Sequence, residues 1–171
     1  ATPAGVDPAG ADPSGAAGSG DASSGTGARS GTPGGGPWGT VGAVAIDRWG
    51  RLAAATSTGG TPGKLPGRVG DSPVAGAGTA AEHGVGAVSC TGWGEAILRT
   101  SLAHRVLERL EAGLDPAEAA RQALARLSAL TGGRAGLICV DARGRVGLHH
   151  LTPRMAWACC AGGGPPLLVP R

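Results

Sequence analysis

Thr40 stands where a threonine could serve as a nucleophile. It follows a long Gly- and Pro-rich stretch that ends in Trp38-Gly39, and it opens the apolar run 41–46. If the Gly39–Thr40 bond is cut, Thr40 gains a free α-amine, with an ordinary pKa of about 7.7–8.0, beside its own hydroxyl. That amine can accept the hydroxyl proton and so activate the oxygen for attack on a carbonyl carbon. Because a threonine at a strand start is far more often structural, the spacing alone is a weak indication.

Other familiar catalytic and metal-binding motifs do not occur in the sequence. We find no P-loop, no H-E-x-x-H zinc motif, no EF-hand loop and no strand-linked G-x-G-x-x-G. The four cysteines form no C-x-x-C pair, so we expect reduced thiols packed as small hydrophobic residues. His149 and His150 would face opposite sides of a strand, which argues against a shared metal ion. We therefore predict no metal site and no cofactor within this chain.

The composition of the 171 residues excludes several classes of partner. Tyr and Phe are absent, four Trp are the only aromatic residues, and the net charge is +3. Single strands of nucleic acid are commonly bound by several stacked aromatic side chains, so we expect no nucleic-acid partner. There is no apolar run long enough to span a membrane and no signal-peptide pattern in the first thirty residues. We expect a cytoplasmic protein without a membrane partner.

Two segments of very different composition make up the chain. All but five of residues 1–37 are Gly, Ala, Pro, Ser or Thr. Such a segment buries too little apolar surface to offset the entropy of ordering its backbone. The composition therefore predicts a disordered linker over residues 1–39 and a folded domain over residues 40–171.

Hydrophobic periodicity in the folded domain predicts strands at both ends and helices between them. One helix is expected from Glu95 to Gly113, and a second from Asp115, as N-cap, to the Gly132-Gly133 stop. Strands are expected at 40–47, 51–58, 85–90, 136–141, 145–149 and 155–158. The first strand should be central and buried on both faces, because nearly every position is apolar. The order β β β α α β β (β) predicts an α+β fold with the helices on one sheet face.

Four segments in this order resemble the β-subunit of plant-type L-asparaginases, also called isoaspartyl peptidases. They read TVGAVAID at 40–47, ATSTGG at 55–60, GRVGDSP at 67–73 and CTGWGE at 90–95, and the resemblance extends over about residues 38–160. Members of this family are N-terminal-nucleophile hydrolases. The resemblance therefore implies half of an αββα sandwich, with residues 1–39 as the linker that ends an α half.

The resemblance also implies catalytic roles. Thr40 matches the nucleophile that autoproteolysis between Gly39 and Thr40 exposes. Thr58 matches a hydroxyl that forms a hydrogen bond near the nucleophile. Thr91 matches a position that lines the substrate and helps to form the oxyanion hole.

Substrate-binding roles follow in the same way. Arg68 matches the guanidinium that holds the substrate α-carboxylate, a task suited to its planar fork of donors. Asp71 matches the carboxylate that holds the substrate α-ammonium. Thr91 and Gly92 match positions that line the bound substrate.

The activity implied by the resemblance is hydrolysis of the β-amide of L-asparagine and of β-aspartyl dipeptides. The implied partner is the protein's own α-subunit, in an (αβ)2 heterotetramer, and a structural sodium ion is implied on that α half. The α half would also supply an Asn of the oxyanion hole. We therefore expect the chain on its own to be inactive.

Two alternatives stay open at this point. A glycosylasparaginase would perform the same chemistry on a glycosylated asparagine, although its relatives tend to have Asn where Gly60 stands. An unprocessed fragment would be inactive and would only dock to an α-subunit. The sequence also departs from the family pattern at 78–81, which lacks an aromatic residue, and at Trp93, which could narrow the pocket or simply pack.

Overall fold

The computed structural model describes residues 39–162 and the backbone of residues 167–169. The predicted linker at 1–39 lies outside the described residues except for Gly39. The strands are β1 (Thr40–Ile46), β2 (Leu52–Thr58), β3 (Thr79–Glu82), β4 (Gly86–Gly92), β5 (Ala135–Asp141), β6 (Val146–His150), β7 (Trp157–Cys159) and β8 (Leu167–Val169). The helices are α1 (Gly94–Thr100), α2 (Leu102–Glu111) and α3 (Pro116–Thr131). The predicted α+β fold is confirmed.

Three layers build the fold. The middle layer is an antiparallel sheet in the order β3-β4-β5-β6. Helices α2 and α3 pack on this sheet, and the antiparallel β1–β2 hairpin also packs on it, mainly over β3 and β4. Alternate residues of β4 face opposite sides of the sheet. Val88 and Cys90 pack in the apolar core with the helices, while Ser89 forms a hydrogen bond with Thr56 of the hairpin. The arrangement is consistent with half of the predicted αββα sandwich.

The predicted helix from Glu95 to Gly113 is wrong in one respect, because it is two helices. Ser101 has φ 47° and ψ 53°, in the left-handed region, and separates α1 from α2. The backbone N–H groups of Ala103 and His104 donate to the carbonyls of Ala77 and Gly76, at 2.9 and 2.8 Å. A neighbouring loop thus satisfies donors at the start of α2 that a continuous helix would have satisfied itself.

Helix α3 matches its prediction closely. The Asp115 carboxylate accepts a hydrogen bond from Ala117 N at 3.0 Å, and Pro116 occupies the first helical position. Gly132 ends the helix in the left-handed conformation, with φ 65°. The capping residues were sufficient to predict the two ends of this helix, because each acts within its own turn.

The prediction that β1 is central and buried on both faces is not met within the described residues. β1 pairs with β2 alone, and Val41 on its outer face is 74% exposed. On the inner face, Gly42 lies so close to β4 that a Cβ there would collide with Ser89 Oγ. The apolar character of β1 therefore fits a strand with one covered face and one apolar face that no described residue covers.

The loop and strand around β3 and β4 position the residues of interest. The Gly- and Pro-rich segment 59–84 is mostly loop, and β3 is a short strand within it. β4 extends two residues beyond its predicted end, so that Thr91 and Gly92 belong to the strand and pair with Gly136 and Ala135. Among residues 39–162, no helix is long and apolar enough to cross a membrane. The same residues contain no group of three or more His, Cys, Asp or Glu that could hold a metal ion.

Candidate active site

A cavity of about 670 Å³ lies where β1 begins and where β2 and β4 end. Antiparallel pairing brings the first residue of β1 beside the last residue of β2. The loop between β2 and β3 closes the other side. Every residue that the sequence analysis assigned to the site borders this cavity: Gly39, Thr40, Thr58, Arg68, Asp71, Thr91 and Gly92.

Thr40 and Thr58 face each other across the β1–β2 ladder. Thr40 Oγ1 donates a long hydrogen bond of 3.4 Å to Thr58 Oγ1. Gly60 N also donates to Thr58 Oγ1, at 3.0 Å, which fixes the orientation of that hydroxyl. Thr58 Oγ1 in turn lies 3.5 Å from the carbonyl oxygen of Gly39. One hydroxyl thus contacts both the Thr40 side chain and the carbonyl of the Gly39–Thr40 peptide bond.

Arg68 is held at the cavity by Glu95 in α1. Its Nε lies 2.9 Å and its Nη2 2.8 Å from Glu95 Oε1. Burial opposes the charge of Glu95, but a backbone hydrogen bond and the Arg68 guanidinium outweigh it and lower the pKa of Glu95 below its ordinary 4.5. The ionised Glu95 therefore fixes the position of the guanidinium, whose remaining donors are available to a ligand.

Asp71 carries a buried carboxylate with an unused oxygen. The residue is only 7% exposed, and its Oδ2 has no hydrogen-bond partner among the described residues. Burial raises the pKa of Asp71 above 3.8; the nearby Glu95 adds to this, while Arg68 and a backbone hydrogen bond oppose it. A buried oxygen without a partner is costly unless a donor or a cation reaches it. Asp71 also borders the cavity, where the negative charge of its carboxylate suits the binding of a cationic group.

Gly94 brings the Arg68 and Asp71 side chains together. A Cβ at Gly94 would lie 2.8 Å from Arg68 Nη2 and 2.8 Å from Asp71 Oδ1. A Cβ at Gly78 would lie 2.6 Å from Asp71 Oδ2. Glycine at these two positions leaves the space that the two charged side chains occupy.

Gly92 shows the same close approach at the end of β4. It has φ +136°, and a Cβ there would lie 2.5 Å from Ala135 Cα and 2.6 Å from the carbonyl oxygen of Arg134. Residues other than glycine rarely adopt that backbone conformation. Both the backbone angle and the packing therefore require glycine beside Thr91.

Of the residues near the cavity that were not assigned to the site from the sequence, three carry a charge or position one. Lys64 borders the cavity, whereas Glu95 and Gly94 act on Arg68 and Asp71. The sequence offered one indication for Lys64: it is the single lysine in the chain. Glu95 stood inside the CTGWGE segment but was interpreted only as the start of a helix.

Trp93 and Cys90, next to the site, do not contribute groups to the cavity. Trp93 is 54% exposed and precedes α1 as its N-cap residue, so it does not narrow the pocket formed by the described residues. Cys90 is buried in the core; burial first, and then the charge of Asp71, raises the pKa of its thiol well above 9.0. Cys90 stays a neutral thiol and behaves as a small hydrophobic residue.

One protein family matches most of the chain. The family model described as Asparaginase matches residues 16–166. The chain belongs to the asparaginase family. The resemblance noted in the sequence is thereby confirmed.

Curated members of the family share about half of the aligned residues. The isoaspartyl peptidase of Salmonella typhimurium is 52% identical over 122 residues, which are 70% of this chain and 39% of that protein. The plant-type L-asparaginase of Pyrobaculum calidifontis is 53% identical over 118 residues, 68% of this chain and 40% of that protein. The isoaspartyl peptidase/L-asparaginase of Danio rerio is 44% identical over 128 residues, 75% and 41% respectively. The chain therefore spans about two fifths of the length of these family members.

Proposed function

We propose that the complete protein is an amidohydrolase that cleaves the β-amide of L-asparagine and of β-aspartyl dipeptides, with Thr40 as nucleophile. The observation that carries the proposal is the cavity itself. It combines the Thr40 hydroxyl with the cationic side chain of Arg68 and the anionic side chain of Asp71. The names of the relatives, isoaspartyl peptidase and L-asparaginase, support the same activity.

The charged pair explains why such substrates fit. L-Asparagine and β-aspartyl peptides share an α-carboxylate, an α-ammonium and a scissile β-amide. Arg68 has donors left for the carboxylate, and the Asp71 carboxylate borders the cavity and can accept from the ammonium. With the amino-acid end fixed in this way, the β-carbonyl carbon would face Thr40, as a positioned nucleophile requires.

The chemistry would proceed in two steps. The α-amine of Thr40 accepts the hydroxyl proton while Oγ1 bonds to the β-carbonyl carbon. The carbon–nitrogen bond then breaks, the proton passes to the leaving amine, and a β-aspartyl ester remains on Thr40. Water adds to that ester, which releases aspartate and restores the hydroxyl. Thr58 would orient the Thr40 oxygen through their hydrogen bond.

Charge that develops on the carbonyl oxygen would be stabilised near Thr91 and Gly92, which border the same cavity. One donor aimed at such an oxygen is worth about 3 kcal/mol of transition-state stabilisation. An Asn of the α half is expected to complete this oxyanion hole.

Maturation would depend on cleavage between Gly39 and Thr40. The Thr40 hydroxyl adjoins the bond to be cut, and Thr58 Oγ1 lies 3.5 Å from the Gly39 carbonyl oxygen, where it can polarise that carbonyl. Gly39 adds no side chain near this bond: a Cβ there would have no neighbour within 4 Å. The attacking hydroxyl therefore meets little steric obstruction among the described residues.

An α half as partner is supported by the outer face of the β1–β2 hairpin. Alternate residues of both strands expose a small apolar surface there: Val41, Ala43, Ala45, Ala53 and Ala55. A second sheet packed on this face would bury it, as a sandwich requires. The (αβ)2 assembly and the sodium ion on the α half belong to the same proposal.

Gly60 favours substrates without a sugar on the amide nitrogen. It has φ +79°, and it offers no side-chain donor to a glycosylated substrate. A competition assay tests this choice: β-aspartyl-leucine and a glycosylated asparagine are offered to the processed protein at equal concentration. We expect β-aspartyl-leucine to be consumed first. The opposite order would assign the protein to the glycosylasparaginases.

Replacement of Thr40 tests the proposal most directly. Thr40→Ala should stop both cleavage at Gly39–Thr40, seen by mass spectrometry, and hydrolysis of both substrates. Thr40→Ser keeps a hydroxyl and should retain both. Thr152→Ala, which removes a hydroxyl after β6, is the matched control. Maturation of the Thr40→Ala variant at that bond would show that Thr40 is not the nucleophile.

A further inference from the structure

Lys64 is the charged residue of the cavity that the proposed mechanism leaves unused. Of the described residues that border the cavity, three carry charged side chains: Lys64, Arg68 and Asp71. Arg68 and Asp71 account for the α-carboxylate and α-ammonium that the proposed substrates share. A second cation, Lys64, therefore remains at the border of the cavity without a role.

The ammonium of Lys64 lies against the Gly59-Gly60 turn that directly follows Thr58. Lys64 Nζ donates to the carbonyl oxygen of Gly59 at 2.7 Å, and a Cβ at Gly60 would lie 3.0 Å from Nζ. Gly60 N is itself bonded to Thr58 Oγ1. Because an ammonium has three donors and one is used by Gly59, two are available to a ligand.

The proposed substrates differ in the group that leaves. Cleavage of L-asparagine releases ammonia, which has no further charge to recognise. Cleavage of a β-aspartyl dipeptide releases an amino acid, whose free carboxylate lies on the far side of the scissile amide from the aspartyl end.

We propose that Lys64 binds the carboxylate of the leaving amino acid and so makes the site selective for β-aspartyl dipeptides with a free C-terminus. The inference rests on the proposed function and deepens it. Arg68 does not serve this carboxylate, because the proposed function already assigns it to the α-carboxylate of the aspartyl end and Glu95 holds it in place through Nε and Nη2. Lys64 is exposed, so the contribution is that of an ion pair that solvent still reaches.

The test compares three substrates on the complete processed protein: β-aspartyl-leucine, its C-terminal amide and L-asparagine. The amide keeps the leucine side chain and removes only the negative charge. We expect kcat/KM for the acid to exceed that for the amide by roughly fivefold, the size of a solvent-exposed ion pair. The ratio should shrink towards one as salt is added, because salt screens exposed charges.

Lys64→Met should remove this preference and Lys64→Arg should keep it. In Lys64→Met, kcat/KM should fall for β-aspartyl-leucine and stay unchanged for the amide and for L-asparagine. Arg143→Met is the matched control, because Arg143 is exposed in the turn after β5, at the far end of β4 from Thr91.

Each alternative result is distinct. An equal fall for all three substrates in Lys64→Met would mean that Lys64 only supports the Gly59-Gly60 turn, and the proposal would be overturned. Equal rates for acid and amide in the unmodified protein would overturn it without any variant. If the unmodified protein hydrolyses none of the three, the proposed function itself fails, which is seen before Lys64 is changed.

Discussion

Thr40 Oγ1 donates to Thr58 Oγ1 across the first rung of the β1–β2 ladder, 18 residues away in the sequence. The pairing is a consequence of hairpin register: Ile46 lies opposite Leu52 at the turn, and each further step brings the strand ends together. A slip of one residue would move either hydroxyl to the opposite face. The register of the hairpin therefore determines whether these two hydroxyls meet.

Thr58→Val removes the hydroxyl and keeps the branched shape of the side chain. The Thr40 oxygen then loses an acceptor, and Gly60 N loses its partner as well. We expect kcat to fall by about ten- to a hundredfold, the range of one hydrogen bond in a charged site. Thr58→Ser keeps the hydroxyl and should stay within a few-fold of the unmodified protein. Steady-state kinetics on β-aspartyl-leucine measure both, and a fully active Thr58→Val would contradict the role given to Thr58.

Arg68→Lys tests the proposed contact between Arg68 and the substrate α-carboxylate. Lysine keeps the charge but lacks the planar fork that can contact Glu95 and a carboxylate together. We expect a loss of about 1.5–3 kcal/mol in transition-state binding, measured as kcat/KM. Arg121→Lys, in an exposed pair with Glu118, is the matched control and should be silent. Full efficiency of Arg68→Lys would remove Arg68 from the binding site.

Helix ends that are determined by neighbouring residues were predictable from the sequence, and those determined by distant residues were not. Helix α3 was predictable because Asp115 and Gly132 act within their own turns. The helix break at Ser101 was not predictable from the sequence. Its cause lies in the carbonyls of Gly76 and Ala77, which are about 25 residues earlier in the chain. The apolar stripe continues through the break, so periodicity alone predicts one helix.

In the candidate site, too, local motifs were predictable from the sequence and a contact between distant segments was not. The residues to which the resemblance assigns catalytic or binding roles all border one cavity, so the motifs were sufficient to locate it. The Glu95 contact with Arg68 spans 27 residues and joins a loop to a helix. Nothing in the local sequence specifies that contact, and it becomes visible only once β4 places α1 beside the loop.

Ser101→Gly should stabilise the protein. Ser101 adopts φ 47°, and an L-residue in that region costs about 1–2 kcal/mol. Glycine removes that strain but loses more backbone entropy on folding, so we expect a net gain of about 0.5–1 kcal/mol in the free energy of unfolding. Denaturant titration measures it.

Ser128→Gly is the matched control for this change. Ser128 lies inside α3, where glycine should lower the free energy of unfolding by roughly 0.5 kcal/mol or more. Destabilisation by both substitutions would show that the Ser101 side chain contributes more than its backbone strain costs.

Asp71→Asn should stabilise the protein at neutral pH while it impairs substrate binding. Burial raises the pKa of Asp71 in the folded state above its ordinary 3.8, so the folded protein binds this proton more tightly than the unfolded chain. Stability contributed by that proton is fully present below pH 3.8 and is lost as the pH rises through the raised pKa. At pH 7 the charged, desolvated carboxylate therefore opposes folding, and a neutral amide of the same size relieves that cost.

The measurement is the free energy of unfolding of Asp71→Asn and of the unmodified protein from pH 7 downwards. We expect the variant to be more stable at pH 7 and the difference to vanish as the pH falls below about 3.8, where the carboxyl becomes protonated in both states. Glu82→Gln, at an exposed carboxylate, controls for general charge effects. In parallel, KM for L-asparagine should rise in Asp71→Asn, because the amide cannot pair with the substrate α-ammonium as a carboxylate does. A variant that is less stable at pH 7, with unchanged KM, would mean that the Asp71 carboxylate supports the fold and does not bind substrate.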